Sequence, residues 1–229
     1  AESALMCTRR LLAIATRLRK RIHVLHVSTA DELPLLAQHR DVATVEVLPN
    51  HLTLAAPEAY ERLKGKAQQN PPIRDAHHRA ALWEAVRSGL IDVLGSDHAP
   101  HTAEEKAKPY PQSPSGTPGV QTLVPVMLTH VAEGRLTLER FVDMTSTSPQ
   151  RVFQLAGKGR LALGYDADLT LVDLAARRVI TDGEQASKAR WTPFAGMTAK
   201  GWPMATITRG RVVMRDGEIT TPSIGEPIN

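Results

Sequence analysis

A single cysteine, Cys7, stands in 229 residues. No disulfide can form within the chain, a zinc–thiolate site is excluded, and a reducing compartment, the cytoplasm, is the simplest expectation. Aromatic residues make up only 4%, too few for the stacking platforms that bind single-stranded nucleic acid. No apolar run is long enough to span a membrane. The N-terminus lacks the apolar run and cleavage pattern of a signal peptide, and it also lacks an initiator methionine. The chain opens inside a helical pattern, so a fragment of a longer protein is expected. There is no Gly-x-x-x-x-Gly-Lys phosphate loop. Ser28, Ser96 and Ser148 have no Gly-x-Ser-x-Gly setting, which speaks against a serine hydrolase.

What is present suits a folded α/β chain. Hydrophobic residues reach 42% and charged residues 23%, enough for a sizeable core. The net charge of +4 is scattered except at Arg17-Leu18-Arg19-Lys20-Arg21. That cluster reads as a solvated helix C-terminus, where cations suit the dipole, rather than a nucleic-acid patch.

Apolar positions at Leu5, Leu11, Leu12, Ile14, Ala15 and Leu18 have helical spacing. A β-branched run, Ile22 to Thr29, predicts a strand, followed by a helix from about Ala30 to His39. A second strand, Ala43 to Leu48, leads to Pro49-Asn50-His51, and a polar connection covers residues 52–73. A helix from about Asp75 to Ser88 precedes a third strand, Gly89 to Leu94, which ends in Gly-Ser-Asp-His-Ala-Pro-His-Thr, residues 95–102. This alternation implies parallel strands with helical crossovers. Residues 103–119 read as a loop. Val120–Ala132 and Leu138–Leu155 read as helices, with Ser148-Pro149 as a cap and first-turn proline. Near Gly157 the pattern turns to short β runs separated by Asp182-Gly183 and Asp216-Gly217, which are hairpin signals. A boundary at about 157 is expected, with domains 1–157 and 158–229.

Three predicted strands end in polar residues on one side of the sheet, near His26, Asn50-His51 and Asp97. In parallel barrels catalytic groups gather at the carboxyl ends of strands. Imidazole and carboxylate together suit zinc or a similar divalent ion, and so point to metal-assisted hydrolysis. Plainer readings exist. A strand histidine is commonly a hydrogen-bonded structural residue, and Asp97 alone could cap a helix. His23 and His26, three apart, are expected on opposite faces, so His26 is the better candidate. His39, His77, His78 and His130 are expected at the surface. Asp97 and His101 could share a cavity if the backbone turns at Pro100.

These residues, together with Ile22–Thr29 (IHVLHVST), Glu46–Leu52 (EVLPNHL), Asn70–Arg74 (NPPIR) and Ser96–Thr102 (SDHAPHT), resemble the dihydroorotases of the amidohydrolase superfamily, in that family's order. Gly164–Leu169 and Gly210–Gly217 resemble the superfamily's small β-sandwich. The resemblance implies the C-terminal part of a metal-dependent (β/α)8 TIM-like barrel, about strands six to eight, followed by that sandwich. It implies His26 and Asp97 as ligands of zinc, one or two ions in the complete protein. Asp97 is then also the catalytic proton shuttle for a metal-bound hydroxide. Asn70 and His101 would hold the substrate, and the backbone at Pro118-Gly119 would touch the pyrimidine ring. The implied reaction interconverts dihydroorotate and N-carbamoyl-L-aspartate in pyrimidine biosynthesis. Homodimerisation and association with aspartate transcarbamoylase are further implications, with no nucleic-acid or membrane partner. Asn50 replaces the family's first histidine of a His-His-Leu, which leaves the role of His51 open. The His-x-His pair, the bridging ligand and the fifth-strand histidine of similar proteins have no counterpart, so inactivity of the chain alone is expected. Two alternatives are a hydantoinase, dihydropyrimidinase or allantoinase, and a dihydroorotase-like structural subunit without catalysis.

Overall fold

The computed structural model describes residues 1–228. The chain packs as two compact units, Ala1–Leu123 with Thr181–Ala195, and Val124–Ile180 with the chain from Gly196 onward. Among the described residues no helix is long and apolar enough to cross a membrane.

The first unit begins with α1 (Glu2–Leu18), which buries Thr8, Leu12 and Ala15 and ends at Arg19 in a left-handed cap. Residues 17–21 are exposed, as a solvated helix end requires. A second stripe, Met6, Leu11, Ile14 and Leu18, is exposed. Then follow β1 (Ile22–Val24), a 3₁₀ turn at Ala30–Glu32 and α2 (Leu33–Ala37), and β2 (Ala43–Val47). The helix expected over Ala30–His39 is thus shorter, with Pro34 in its first turn. Next come α3 (Pro49–Thr53), α4 (Glu58–Leu63), a 3₁₀ turn at Lys64–Ala67, α5 (Ala76–Arg87), β3 (Val93–Leu94) and α6 (Ala103–Lys106).

The three strands form a parallel sheet in the order β1-β2-β3. Val24 pairs with Val45, and Val47 with Leu94. Every residue of the central β2 is buried, the pattern of a strand covered on both faces. β1 and β3 are shorter than the runs Ile22–Thr29 and Gly89–Leu94 predict. β1 stops because His26 turns into a left-handed conformation, φ 54°. The ladder resumes where Val27 N–H donates to Glu46 O at 2.9 Å. α5 matches expectation: Asp75 caps it by accepting from His77 N–H, and Leu82, Trp83 and Val86 are buried. The expected loop at 103–119 contains α6, fixed by a reciprocal capping box between Thr102 and Glu105. That Thr-x-x-Glu signal is visible in the sequence.

In the second unit, α7 (Leu123–Ala132) is followed by a continuous helical path through α8 (Leu138–Val142), a π turn at Asp143–Thr147 and α9 (Ser148–Phe153). Ser148 is therefore the first residue of α9 rather than its cap, helical at φ −67°, and Pro149 stands in the first turn as expected. The proline lacks an N–H, and the wider π turn before it accommodates that loss. Strands β4 (Leu169–Val179), β5 (Thr198–Thr208), β6 (Arg211–Arg215) and β7 (Glu218–Ile219) make an antiparallel sheet in that order. Asp216-Gly217 forms the expected hairpin, with φ of 53° and 88°, the both-positive signature of a tight two-residue turn. Asp182-Gly183 does not. It opens the excursion Thr181–Ala195, which packs in the first unit. His78 and His130, expected at the surface, are 6% and 4% exposed. His78 is buried because its Nδ1 accepts from Ala30 N–H at 2.9 Å.

Candidate metal and proton-transfer site

At the carboxyl edge of the parallel sheet His26, Glu46 and Asp97 meet. His26 Nδ1 lies 2.7 Å from Glu46 Oε1, and His26 Nε2 lies 3.7 Å from Asp97 Oδ1. His23 Nε2 also approaches Glu46, at 3.8 Å from Oε2. Contrary to expectation, His23 and His26 do not face apart but approach the same carboxylate. Strand alternation ends at Val24, and the left-handed turn at His26 brings its ring back to the same carboxylate. Glu46 went unrecognised in the sequence. Its signal is an acid inside the apolar run Ala43-Thr44-Val45-Glu46-Val47-Leu48.

Both His26 and Asp97 have positive φ, 54° and 42°. Left-handed backbone is uncommon outside glycine, and His, Asp and Asn tolerate it best. Such strain gathers at functional sites. Gly95 makes room for the acid. A Cβ there would stand 2.5 Å and 2.7 Å from the two Glu46 carboxylate oxygens. Gly95→Ala should therefore cost about 2 kcal/mol through overpacking and displace Glu46 from His26. The midpoint of urea unfolding measures the first effect, and the His26 ring resonances in NMR measure the second.

Burial pushes the Glu46 carboxyl up, but His23 and His26 outweigh it and hold its pKa down at about 2. The Glu46 contact lifts the His26 imidazole above its ordinary value, against burial, with Asp97 adding a smaller rise. His26 Nδ1 and Glu46 Oε1 are both buried and lack a partner in good hydrogen-bond alignment, so their 2.7 Å approach is a charge contact. These residues fit a divalent metal. In a tetrahedral site, zinc–ligand bonds of about 2.0–2.2 Å place two ligand atoms about 3.4 Å apart, and His26 Nε2 and Asp97 Oδ1 stand close to that at 3.7 Å. Glu46 behind the imidazole matches the carboxylate–histidine–metal pattern, which orients the ring.

Asn50 and His51 are buried beside this edge. Asn50 Nδ2 donates to Gln69 Oε1 at 2.6 Å and to Thr117 Oγ1 at 2.9 Å. It thereby ties the end of β2 to the segments carrying Asn70 and Pro118. His51 Nε2 donates to Pro71 O at 3.1 Å. Burial pulls its pKa down to about 4, so it is neutral. Between pH 6.5 and 4 the unfolded chain binds a proton at His51 that the folded chain refuses. Stability should then fall as pH drops through that window, by on the order of 3 kcal/mol. Thermal unfolding from pH 7 to pH 4 should show this loss, and His51→Gln should be flatter across it.

Asn70 is exposed and His101 half-buried. His101 Nδ1 is 3.5 Å from Glu105, and its carbonyl accepts from Trp191 Nε1 at 2.7 Å. Trp191, 1% exposed, thus anchors the His101 backbone from the excursion at 181–195. Among the described residues no hydrogen bond or ion pair joins Asn70 or His101 to Asp97. Pro118 and Gly119 are buried. Gly119 N–H donates to His98 Nδ1 at 3.1 Å, so His98 positions that loop. A Cβ on Gly119 would collide with Ser96 O.

Asp75, His77 and His78 also bring ligand atoms within 4.8 Å of one another. They are a poor metal set. Ala30 N–H occupies the His78 Nδ1 lone pair, which leaves Nε2 protonated, and Asp75 already accepts from His77 at 2.6 Å.

Comparison with known proteins bears on this geometry. A model of the amidohydrolase family matches residues 11–213. The chain belongs to the amidohydrolase family. It is 39% identical over 209 residues to a dihydroorotase of Methanothermobacter thermautotrophicus, which covers 91% of this chain and 48% of that protein. A dihydroorotase of Halalkalibacterium halodurans is 40% identical over 201 residues, covering 86% of this chain and 46% of its own length. Among solved structures, an L-hydantoinase (dihydropyrimidinase) from Arthrobacter aurescens superposes with a TM-score of 0.91 at 34% identity, over 95% of this chain and 50% of that one. A dihydropyrimidinase from Brevibacillus agri gives 0.88 at 28% identity, over 94% and 49%. This amidohydrolase-family chain spans about half the length of the curated relatives it matches.

Proposed function

We propose that the chain supplies one wall of a dihydroorotase-type centre that interconverts dihydroorotate and N-carbamoyl-L-aspartate. The observation that carries this reading is His26 Nε2 facing Asp97 Oδ1 at 3.7 Å, with Glu46 behind the imidazole. The dihydroorotase relatives supply the substrate. His26 and Asp97 would hold zinc, which when bound would polarise the cyclic amide carbonyl and activate the attacking water. Asp97 accepts that water's proton and passes it to the leaving ring nitrogen. Glu46 keeps the His26 ring oriented. Asn70 and His101 hold the substrate carboxylate and ring, and the Pro118-Gly119 backbone borders the pyrimidine.

Within this reading, residues 1–157 are the C-terminal part of a (β/α)8 barrel, strands six to eight, and residues 158–229 are a small β-sandwich. A cytoplasmic location, a homodimer and association with aspartate transcarbamoylase belong to the same proposal. A hydantoinase-type reaction is favoured by the solved neighbours. Asn70 before Pro71-Pro72 and the run Ala99-Pro100-His101 favour dihydroorotate. A structural subunit without catalysis is the remaining reading, and the paired His26 and Asp97 speak against it.

The test joins this chain to the preceding half of the Methanothermobacter relative and offers dihydroorotate, hydantoin and allantoin. Turnover of dihydroorotate supports the proposal. Turnover of the other rings alone moves the reading to the hydantoinases, and metal binding without turnover moves it to a structural role.

A further inference from the structure

We propose that a cavity of about 1150 Å³ in the first unit, walled by residues 60–72 and 103–115, binds an oligophosphate group. This inference does not rest on the proposed reaction. Asn70 is among the residues that line the cavity, but His26, Asp97 and His101 are not.

Its charged lining residues are Arg62, Lys64, Lys66, Lys106 and Lys108, with no carboxylate among the residues that line it. Two of these are engaged elsewhere. Lys66 lies 3.7 Å from Asp182 and 5.2 Å over the Trp191 ring, and Arg62 donates to Pro193 O at 3.1 Å. Lys64 and Lys108 are exposed and, among the described residues, make no ion pair.

Lys106 is the second observation. It is 2% exposed, and its ammonium donates to Gln68 O at 2.8 Å and Pro114 O at 2.7 Å. No carboxylate lies within ion-pair distance among the described residues. Two carbonyls satisfy two protons but leave the charge unmatched. A buried ion normally needs a counter-ion, and burial accordingly pulls this lysine down to about 8. An anion in the cavity would supply the missing charge.

The walls are held in place beforehand. Gly65 packs so closely on Lys106 O that a Cβ would collide with it. Gln68 Nε2 donates to Ser113 O at 2.8 Å, and Gly116 N–H donates to Gln68 O at 3.0 Å. Lys64 is held at φ 50°, ψ −127°, a sparsely populated backbone state of the kind found at ligand clamps. A preformed, concave hollow, largely apolar with a few placed cations, is what small ligands use.

The count of cations selects the ligand. A lone carboxylate would leave most of the lining charge unmatched. An oligophosphate presents several anionic oxygens, each able to take a charge-assisted bond from lysine. Inorganic triphosphate and a nucleoside triphosphate share that chemistry.

Calorimetric titration of the full chain at low salt with inorganic triphosphate, ATP and N-carbamoyl-L-aspartate tests the proposal. Saturable binding of triphosphate is expected. The surface double variant Lys64→Gln/Lys108→Gln should weaken it on the order of tenfold, less at high salt. Lys106→Met, checked for folding by circular dichroism, should weaken it as well. Tighter binding of ATP identifies a nucleotide as the source; affinity no greater than that of triphosphate identifies the phosphate chain itself. The proposal is overturned by absence of saturable triphosphate binding, or by an unchanged Kd in the double variant. It is equally overturned if N-carbamoyl-L-aspartate displaces triphosphate with the same dependence on Lys64 and Lys108, because the hollow is then part of the substrate's own site.

Discussion

Asp97→Asn, in this chain joined to the preceding half of the Methanothermobacter relative, should lower turnover of dihydroorotate by about 10²–10⁴-fold if the proposed reaction holds. The carboxamide keeps the shape of the side chain and can still approach His26, which stands 3.7 Å from Asp97 in the native site. It cannot accept the water's proton at neutral pH. Asparagine also tolerates the left-handed backbone that Asp97 adopts at φ 42°, so the loop should keep its course. The substrate contacts assigned to Asn70 and His101 are untouched, so KM should change far less than kcat. Because Asp97 is also assigned to the metal, metal content is measured on the same sample. Full turnover by a metal-loaded Asp97→Asn enzyme would sink the proton-shuttle role.

The second large effect concerns the chain by itself. Structural zinc sites take four ligands and catalytic ones three plus water. On the proposed reading His26 and Asp97 provide two. The isolated chain should therefore bind zinc only weakly, retain little of it through dialysis, and show no dihydroorotase activity. Joining it to the relative's preceding half should restore both stoichiometric zinc and turnover. Metal analysis after dialysis, together with the assay, reads both outcomes. Tight stoichiometric zinc and turnover by the chain alone would show that the centre is complete as it stands.

The sequence carried the parallel sheet and the placement of His26 and Asp97 at its edge. The cause is elementary: a covered strand must be apolar along its length, so polar residues collect where it ends. It also carried the Asp216-Gly217 hairpin, because a turn needing two positive φ values admits few residues. It did not carry Glu46, since strand periodicity gives no hint that one buried acid is to be matched by two histidines, one in the neighbouring strand and one just beyond it. The pairing of His23 with His26 was hidden for a related reason. Spacing rules hold only while the strand continues, and a left-handed residue at position 26 ends that rule without leaving a composition signal. The burial of His78 depends on a contact 48 residues away, beyond any local pattern. The excursion at 181–195 was masked because Asp182-Gly183 is a sound turn signal whose flanking segments happen not to pair.

The left-handed turns at His26 and Asp97 limit which substitutions can be interpreted. A β-branched replacement at either position would be resisted by the main chain before its side chain met any ligand. Loss of function in Asp97→Val would report on backbone geometry, whereas Asp97→Asn reports on chemistry. The same constraint narrows evolutionary drift. At these two places the chain can exchange its donor atoms cheaply only among asparagine, aspartate and histidine, or surrender them to glycine. Which donor atoms can stand at these two positions is thus partly chosen by the peptide torsion that carries them.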